Sequence, residues 1–317
     1  MTILLVSNTR DLTTDMVVQE LSATGIPFMR LNCDALDVAR PTLAFGCGEP
    51  AFSFLHKGET VDAKSIKAAY LRRPHLDGMI NRRERDAAHR LSEWRALLEA
   101  LYSELEGRWL NEPHLIERAE DKVRQLRVAA RLGFETPRTL VSNDPARIHD
   151  FVARFPSVAK PLRDGCLGSR EGGEVVFTTR LATVFESESA SIESSPFIVQ
   201  EEIAKTVDVR VTVVGDVVFA TAIGSQGDER SRVDWRRGDV TSMEHAEHVL
   251  PAALSARCVE LVKALGLRFG AIDLVLDPRG EYWFLEINPN GQWGWVQIKT
   301  GQPIAQAIVR ELLGMSQ

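Results

Sequence analysis

The residue types best suited to chemistry lie near the C-terminus, between Gly270 and Gly291. Two apolar runs rich in branched and aromatic residues flank Asp277-Pro278-Arg279-Gly280, a pattern that reads as a β-hairpin. Alternation puts Glu286 and Asn288 on one face of the second strand, with Leu285 and Ile287 on the other. If residues 278–281 form the loop, Asp273 stands directly opposite Glu286. A two-residue loop moves the pairing by two positions and keeps both carboxylates on one face; a three-residue loop separates them. The gathered face offers two carboxylates and an amide oxygen. These are hard donors of the kind magnesium takes, usually one or two carboxylates with substrate phosphates completing the shell. A solvated hairpin face carries the same residue types, so the rest of the chain has to decide.

Cations precede this hairpin along the chain. Lys122 falls in the first turns of a helix read over about 118–132, which stops at Gly133. Lys160 ends a short apolar strand, Val158 to Pro161, and leads into the glycine-rich stretch 162–173 that contains Gly165 and Gly168. Glycines let backbone N–H groups approach phosphate oxygens, and a neighbouring lysine adds a point charge. The stretch is not a P-loop, because the G-K-[ST] ending is absent. Arg72-Arg73-Pro74 closes a strand read over 67–71, where ligands of open α/β sheets collect, although surface ion pairs would use the same residues. Asp208, Arg210 and Thr212 share one face of a further hairpin that turns at Gly215-Asp216. Asp234-Trp235-Arg236-Arg237 lies in a polar loop. His245 and His248 lack a third ligand at a telling spacing and read as solvent-exposed. No nucleophile elbow and no glycine-rich dinucleotide fingerprint is present.

The elements that must position these groups are alternating strands and helices. Residues 3–7 read as a strand, with a helix from a Thr13 cap to about Ala23 and a second strand over 27–31, the start of an α/β unit. Residues 84–106 carry apolar positions at threes and fours and read as an amphipathic helix, with Trp94 on its core face. Asn111-Glu112-Pro113 breaks the chain. Strands follow at about 136–141 and 196–199, and helices at 145–155, 251–265 and 303–313. The serine-rich stretch 187–195 reads as an exposed connector. This division gives domains at 1–112, 113–199 and 200–317.

Composition bounds the function. The 317 residues are 44% hydrophobic and 26% charged, ordinary for a globular chain, and the net charge of −6 argues against a nucleic-acid partner. No apolar run is long enough to span a bilayer, and the start lacks a basic n-region. The four cysteines show no framework spacing, so a reduced, cytoplasmic protein is expected.

In order, Lys122, Lys160 with its glycine loop, Gln200-Glu201-Glu202-Ile203, Asp208, Arg210, Asp273, Glu286 and Asn288 resemble the ATP-grasp ligases over about residues 111–300. Tyr70-Leu71-Arg72-Arg73-Pro74, Asp234-Trp235-Arg236 and Asn288-Pro289-Asn290-Gly291-Gln292-Trp293 look like the graspetide synthetases, the microviridin-type peptide-maturing ligases. Val6 to Asp11 resembles their pre-ATP-grasp domain. The resemblance implies an α/β N-terminal domain before two α+β lobes that clasp ATP. It implies phosphate contacts from Lys122 and Lys160, adenine held by the backbone of Glu201, Glu202 and Ile203, and ribose held by Asp208. Asp273, Glu286 and Asn288 would bind magnesium, and Arg210 would face the γ-phosphate. Some relatives carry an arginine two residues before the hairpin aspartate. Here Ala271 stands there, so that duty would pass to Arg210. The implied substrate is a ribosomal precursor peptide with a leader segment, its Asp or Glu side chain activated and closed onto a hydroxyl or an amine. Arg72 and Arg236 are the candidates for gripping the substrate carboxylate, with Trp293 and Trp295 near the peptide path or in the packing. A homodimer is implied. Glutamate addition by the same ATP chemistry and a non-catalytic binding scaffold are the competing readings.

Overall fold

A computed structural model of the chain describes residues 2–46, 51–76, 79–80, 84–163, 166–167, 174–181, 189–239 and 242–315. The chain opens with β1 (Thr2–Ser7), α1 (Leu12–Ala23), β2 (Phe28–Asn32) and the short helix α2 (Leu36–Ala39). Next come β3 (Thr42–Ala44), β4 (Ala51–His56), β5 (Glu59–Asp62), β6 (Ile66–Leu71) and α3 (Ala87–Glu104). A parallel sheet runs β2-β1-β6, and the short strands β3-β4-β5 form an antiparallel meander that the sequence pattern did not reveal. The continuous run Ile3 to Val6 is fully buried, as a parallel strand covered on both faces should be. Leu4 and Val6 pack toward α3 and β4, and Ile3 and Leu5 toward α1. Asp11, not Thr13, caps α1: its carboxylate accepts the N–H groups of Thr13 and Thr14.

The central elements are α4 (Pro113–Ala119), α5 (Lys122–Arg131), β7 (Thr139–Ser142), α6 (Pro145–Val152) and β8 (Ser157–Lys160). They continue with β9 (Cys166–Leu167), β10 (Glu174–Val175), β11 (Thr179–Leu181), α7 (Ser189–Glu193) and β12 (Phe197–Glu201). The helix read over 118–132 is two helices, because Asp121 turns its carboxylate onto the Arg124 N–H and starts α5 afresh. An antiparallel sheet runs β11-β8-β12-β7.

The last third contains β13 (Val207–Val214), β14 (Val217–Ile223), β15 (His245–Glu247), α8 (Ala252–Ala264), β16 (Phe269–Leu276), β17 (Tyr282–Asn288), α9 (Gly294–Thr300) and α10 (Ile304–Gly314). Its five strands are antiparallel in the order β15-β14-β13-β16-β17. Two packing facts tie the units together. Ala119, Val128 and Ala129 of α4 and α5 share a core with Val209, Leu274 and Ile287 of the large sheet, so these helices pack with the C-terminal lobe. Ile304, Ile308 and Leu312 of α10 share a core with Ile3 and Leu5, so the chain's end covers a face of its first sheet.

The register of β16 against β17 decides the site. Leu276 pairs with Tyr282, and the Asp277 N–H donates to the Glu281 oxygen, so the turn closes tighter than a four-residue loop. Gly280, at φ 87°, supplies the left-handed residue that this turn requires. Continued unbroken, that register would set Asp273 opposite Leu285. A bulge intervenes between Asp273 and Leu274, Leu285 becomes the extra residue, and Asp273 pairs with Glu286 after all.

Candidate active site

Asp273 lies beside Arg210 on the neighbouring strand β13, and Nη1 of Arg210 meets both carboxylate oxygens at 2.8 and 2.7 Å. Burial pushes the Asp273 carboxyl above the usual range, and Arg210 offsets part of that. Glu286 has the opposite balance. Burial alone would raise it, yet Lys122, Arg236 and Lys160 together outweigh burial and hold it below the ordinary value. Nζ of Lys122 is 3.5 Å from Glu286 Oε2, and Nη1 of Arg236 is 3.9 Å from Oε1. Lys122 also donates to the Pro161 carbonyl at 3.0 Å, across from α5 to the end of β8. Lys160 donates to Gln200 Oε1 at 2.8 Å, and its burial lowers its pKa against the pull of Glu286.

Arg236 is held by a side chain that sequence reading left unassigned. Asp234 is buried and accepts Nε and Nη2 of Arg236 at 2.8 and 2.7 Å, together with the Thr178 N–H at 3.2 Å. Asp208 is 4% exposed, accepts Lys205 Nζ at 2.7 Å and the Ser225 hydroxyl, and has its pKa raised by burial. Asn288 pairs with Ala271, and its Oδ1 accepts the Asn290 N–H at 2.9 Å. The N–H groups of Glu201 and Glu202 donate to the carbonyls of Arg138 and Pro156, so these two donors are unavailable for adenine. Their carboxylates pair with Arg138 and Arg180. Ile203 follows along the same wall of the cleft.

A cleft of about 1990 Å³ lies between the central sheet, the large sheet and the N-terminal unit, and Arg210 is buried beside Asp273 rather than lining it. Lys122, Lys160, Glu201, Glu202, Ile203, Asp208, Arg236, Asp273, Glu286 and Asn288 all face it, and it continues past Trp295 to Leu12 and Ile298. Trp295 stacks near Trp235, with ring centres 5.3 Å apart, and takes His245 on its edge at 5.1 Å. Trp293 is core instead: fully buried, with its Nε1 donating to the Tyr70 hydroxyl. His245 and His248, expected in solvent, are half-buried, His248 against the Tyr282 hydroxyl at 2.7 Å. Gly165 and Gly168 lie outside the described residues. Arg72, a candidate for gripping the substrate carboxylate, is turned toward the protein's own backbone. Its guanidinium is buried and donates to the backbone oxygens of Asn290 and Gly291 and to Gln292 Oε1.

Gln125 was also missed. It sits one turn beyond Lys122, accepts the Ile287 N–H, and donates to the carbonyls of Ile287 and Ala119. It thereby clamps α5 to β17 and fixes Lys122 over Glu286. Its only sequence signal is the three-residue spacing that puts both side chains on one helix face.

Among the described residues no group of three or more His, Cys, Asp or Glu side chains is placed to hold a metal. The available set is two carboxylates and one amide. That set fits magnesium, which binds nucleotides through few protein ligands and leaves positions for phosphate oxygens.

A family profile described as "RimK-like ATP-grasp domain" matches residues 119–312. The chain belongs to the RimK-like ATP-grasp family. Its architecture is the ATP-grasp fold, with an α/β unit ahead of the matched residues. It is 30% identical over 207 residues to the probable alpha-L-glutamate ligase of Klebsiella pneumoniae (strain 342), covering 63% of this chain. The match spans 65% of that relative's length, slightly under two thirds. Among solved structures it resembles a Chryseobacterium gregarium RiPP-associated ATP-grasp ligase in complex with ADP and a leader and core peptide. That likeness has a TM-score of 0.88 and 26% identity, covering 99% of this chain and 96% of that one. It also resembles macrocyclase MdnC bound with precursor peptide MdnA from Microcystis aeruginosa MRC. There the TM-score is 0.84 and identity 28%, covering 99% of this chain and 100% of the other.

Proposed function

We propose that this chain is an ATP-grasp ligase that activates Asp or Glu side chains of a ribosomal precursor peptide as acyl phosphates and closes them onto hydroxyls or amines. The products are ω-ester or ω-amide macrocycles. The observation that carries this reading is coverage. Likeness to the peptide ligases extends over nearly the whole chain, N-terminal domain included, whereas likeness to the glutamate ligase covers 63% of it. The cleft agrees, since about 1990 Å³ is well above the roughly 300–1,000 Å³ of ordinary small-molecule sites.

Within this reading Lys122 and Lys160 bind the β- and γ-phosphates, and the segment ending at Ile203 holds adenine beside Asp208. Asp273, Glu286 and Asn288 would hold magnesium, which supplies charge neutralisation along the triphosphate. Arg210 would exchange Asp273 for the γ-phosphoryl group as it passes to the peptide carboxylate oxygen and ADP leaves. Arg236, fixed by Asp234, orients that carboxylate. A hydroxyl or amine then attacks the acyl carbon, the C–O bond to phosphate breaks, and the nucleophile's proton leaves to an acceptor. Aligned positive charge is most of what phosphoryl transfer requires.

The test is mass spectrometry of a candidate acidic precursor peptide incubated with the protein, ATP and magnesium, with phosphate release followed in parallel. Loss of one water per ring with peptide-dependent ADP formation is expected. The second reading, glutamate addition, is favoured by the 30% identity to a glutamate ligase. It predicts phosphate release with free glutamate and a gain of peptide mass. Absence of phosphate release under every condition would leave only a binding scaffold.

A further inference from the structure

We propose that Arg72 is a positioning residue which sets the magnesium affinity of the site by holding the Asn290–Gln292 loop. This rests on reading Asn288 as a magnesium ligand.

Arg72 follows β6, its N–H bonded to Val6 O at 2.8 Å, and its side chain is removed from solvent. A buried guanidinium is costly unless its donors are satisfied, and its rigid fork can reach several acceptors that a lysine cannot. Here, among the described residues, every hydrogen bond of the fork goes to one loop, and Nε has no hydrogen-bond partner. Nη1 reaches the carbonyls of Asn290 and Gly291, the latter at 3.1 Å, and Nη2 reaches Gln292 Oε1 at 2.7 Å. Asp11 balances the charge from 3.8 Å. Arg73 takes the unusual positive φ of 40° and brings its own Nε to the same Asn290 carbonyl at 2.8 Å.

The loop they hold is the direct continuation of Asn288. The Asn290 N–H donates to Asn288 Oδ1, and the Gly291 N–H to the Asn288 carbonyl at 3.2 Å. On the far side Nη2 of Arg210 lies 3.4 Å from the Gln292 carbonyl. Gly291 has no room for a side chain. A Cβ there would collide with Ala271 Cβ and come within 3.3 Å of Arg210 Nη2. One arginine of the N-terminal domain thus fixes the loop that sets the Asn288 amide, and the same loop touches Arg210. Partners behind metal ligands typically tune metal affinity about 10–100-fold.

The experiment is calorimetric titration of a non-hydrolysable ATP analogue at increasing magnesium, on the full chain and on Arg72→Lys, Gly291→Ala, Gln292→Ala and Asn288→Ala. For Arg72→Lys the magnesium needed for half-maximal nucleotide affinity should rise about tenfold. Metal-free nucleotide affinity and the KM for peptide should not change. Gly291→Ala should shift the metal dependence the same way, and Gln292→Ala, which removes an acceptor of the Arg72 fork, carries the test should neither of these fold. In an Asn288→Ala background Arg72→Lys should add nothing further. Wild-type metal dependence in the folded variants would overturn the proposal, as would full additivity with Asn288→Ala. A rise in peptide KM alone would return Arg72 to the substrate. Lack of magnesium-dependent nucleotide binding in the unsubstituted protein would overturn the proposed function along with it.

Discussion

Nη1 of Arg210 meets both oxygens of Asp273, across the pairing of β13 with β16. Both side chains are nearly closed to solvent, at 6% and 16% exposure, so neither charge tolerates losing the other. Arg210→Met should lower peptide-dependent phosphate release by about 10²–10³, the usual cost of a donor aimed at developing charge. It should also destabilise the fold by about 3–5 kcal/mol near neutral pH, the cost of breaking a buried pair. Burial already raises the Asp273 pKa, and removing Arg210 raises it further. The lost stability should therefore return as pH falls through that raised value and the carboxyl takes a proton. Urea midpoints across pH check this; a deficit that deepens on acidification would contradict it.

Lys160 gives a pH signature of nucleotide binding. Its pKa lies below that of an ordinary lysine because it is buried. Its charge is present below the lowered pKa and is lost as pH rises through it. Affinity for a triphosphate should accordingly fall at lower pH than an ordinary lysine would dictate. Lys160→Arg should carry affinity into more alkaline solution. Coincident alkaline profiles for the two proteins would sink this assignment.

Asp277 ties the turn of the metal-site hairpin. It accepts the N–H groups of Glu281 and Arg279, the Arg279 guanidinium and the Trp283 indole. The Glu281 N–H in particular holds its pKa down to about 2, from an ordinary 3.8. A depressed carboxyl pKa stabilises the fold fully above the unfolded value and ceases to do so as pH falls through the folded one. Stability should decline between about pH 4 and 2 in the parent and decline less steeply in Asp277→Asn. Equal slopes over that window would rule out the turn as the source.

Gln125→Leu should destabilise the chain through unpaired backbone, because the Ile287 N–H and the carbonyls of Ile287 and Ala119 lose their partner together. At roughly 1–3 kcal/mol for each buried group left unsatisfied, a loss of at least about 3 kcal/mol is expected in urea unfolding. Nucleotide affinity should fall as well, since Lys122 loses its fixed place over Glu286. A variant with parent-like stability would refute the clamp.

Much of the site was legible because strands alternate. Arg210 and Asp208 share a face by parity, and the hairpin pattern alone singles out Asp273, Glu286 and Asn288. The correct pairing of Asp273 with Glu286 nevertheless arises differently from the simple loop count. A tighter turn at Gly280 and a bulge at Leu285 cancel, and neither has a local signal strong enough to fix register. The misplaced cap at Thr13 and the undivided helix over 118–132 fail for one reason: an aspartate one or two residues away offered the better acceptor.

Sequence alone determined the β13–β14 and β16–β17 hairpins, the main helices and the residue types that could meet a triphosphate, because side-chain periodicity and turn chemistry act over a few residues. Only the tertiary structure decided what Arg72 does, since its first acceptor lies 218 positions along the chain. The same holds for Asp234, whose hold on Arg236 is local but which also accepts the N–H of Thr178, 56 positions away. Long-range packing sets which polar groups lose water, and that loss turns an ordinary arginine or aspartate into a fixed part of a site.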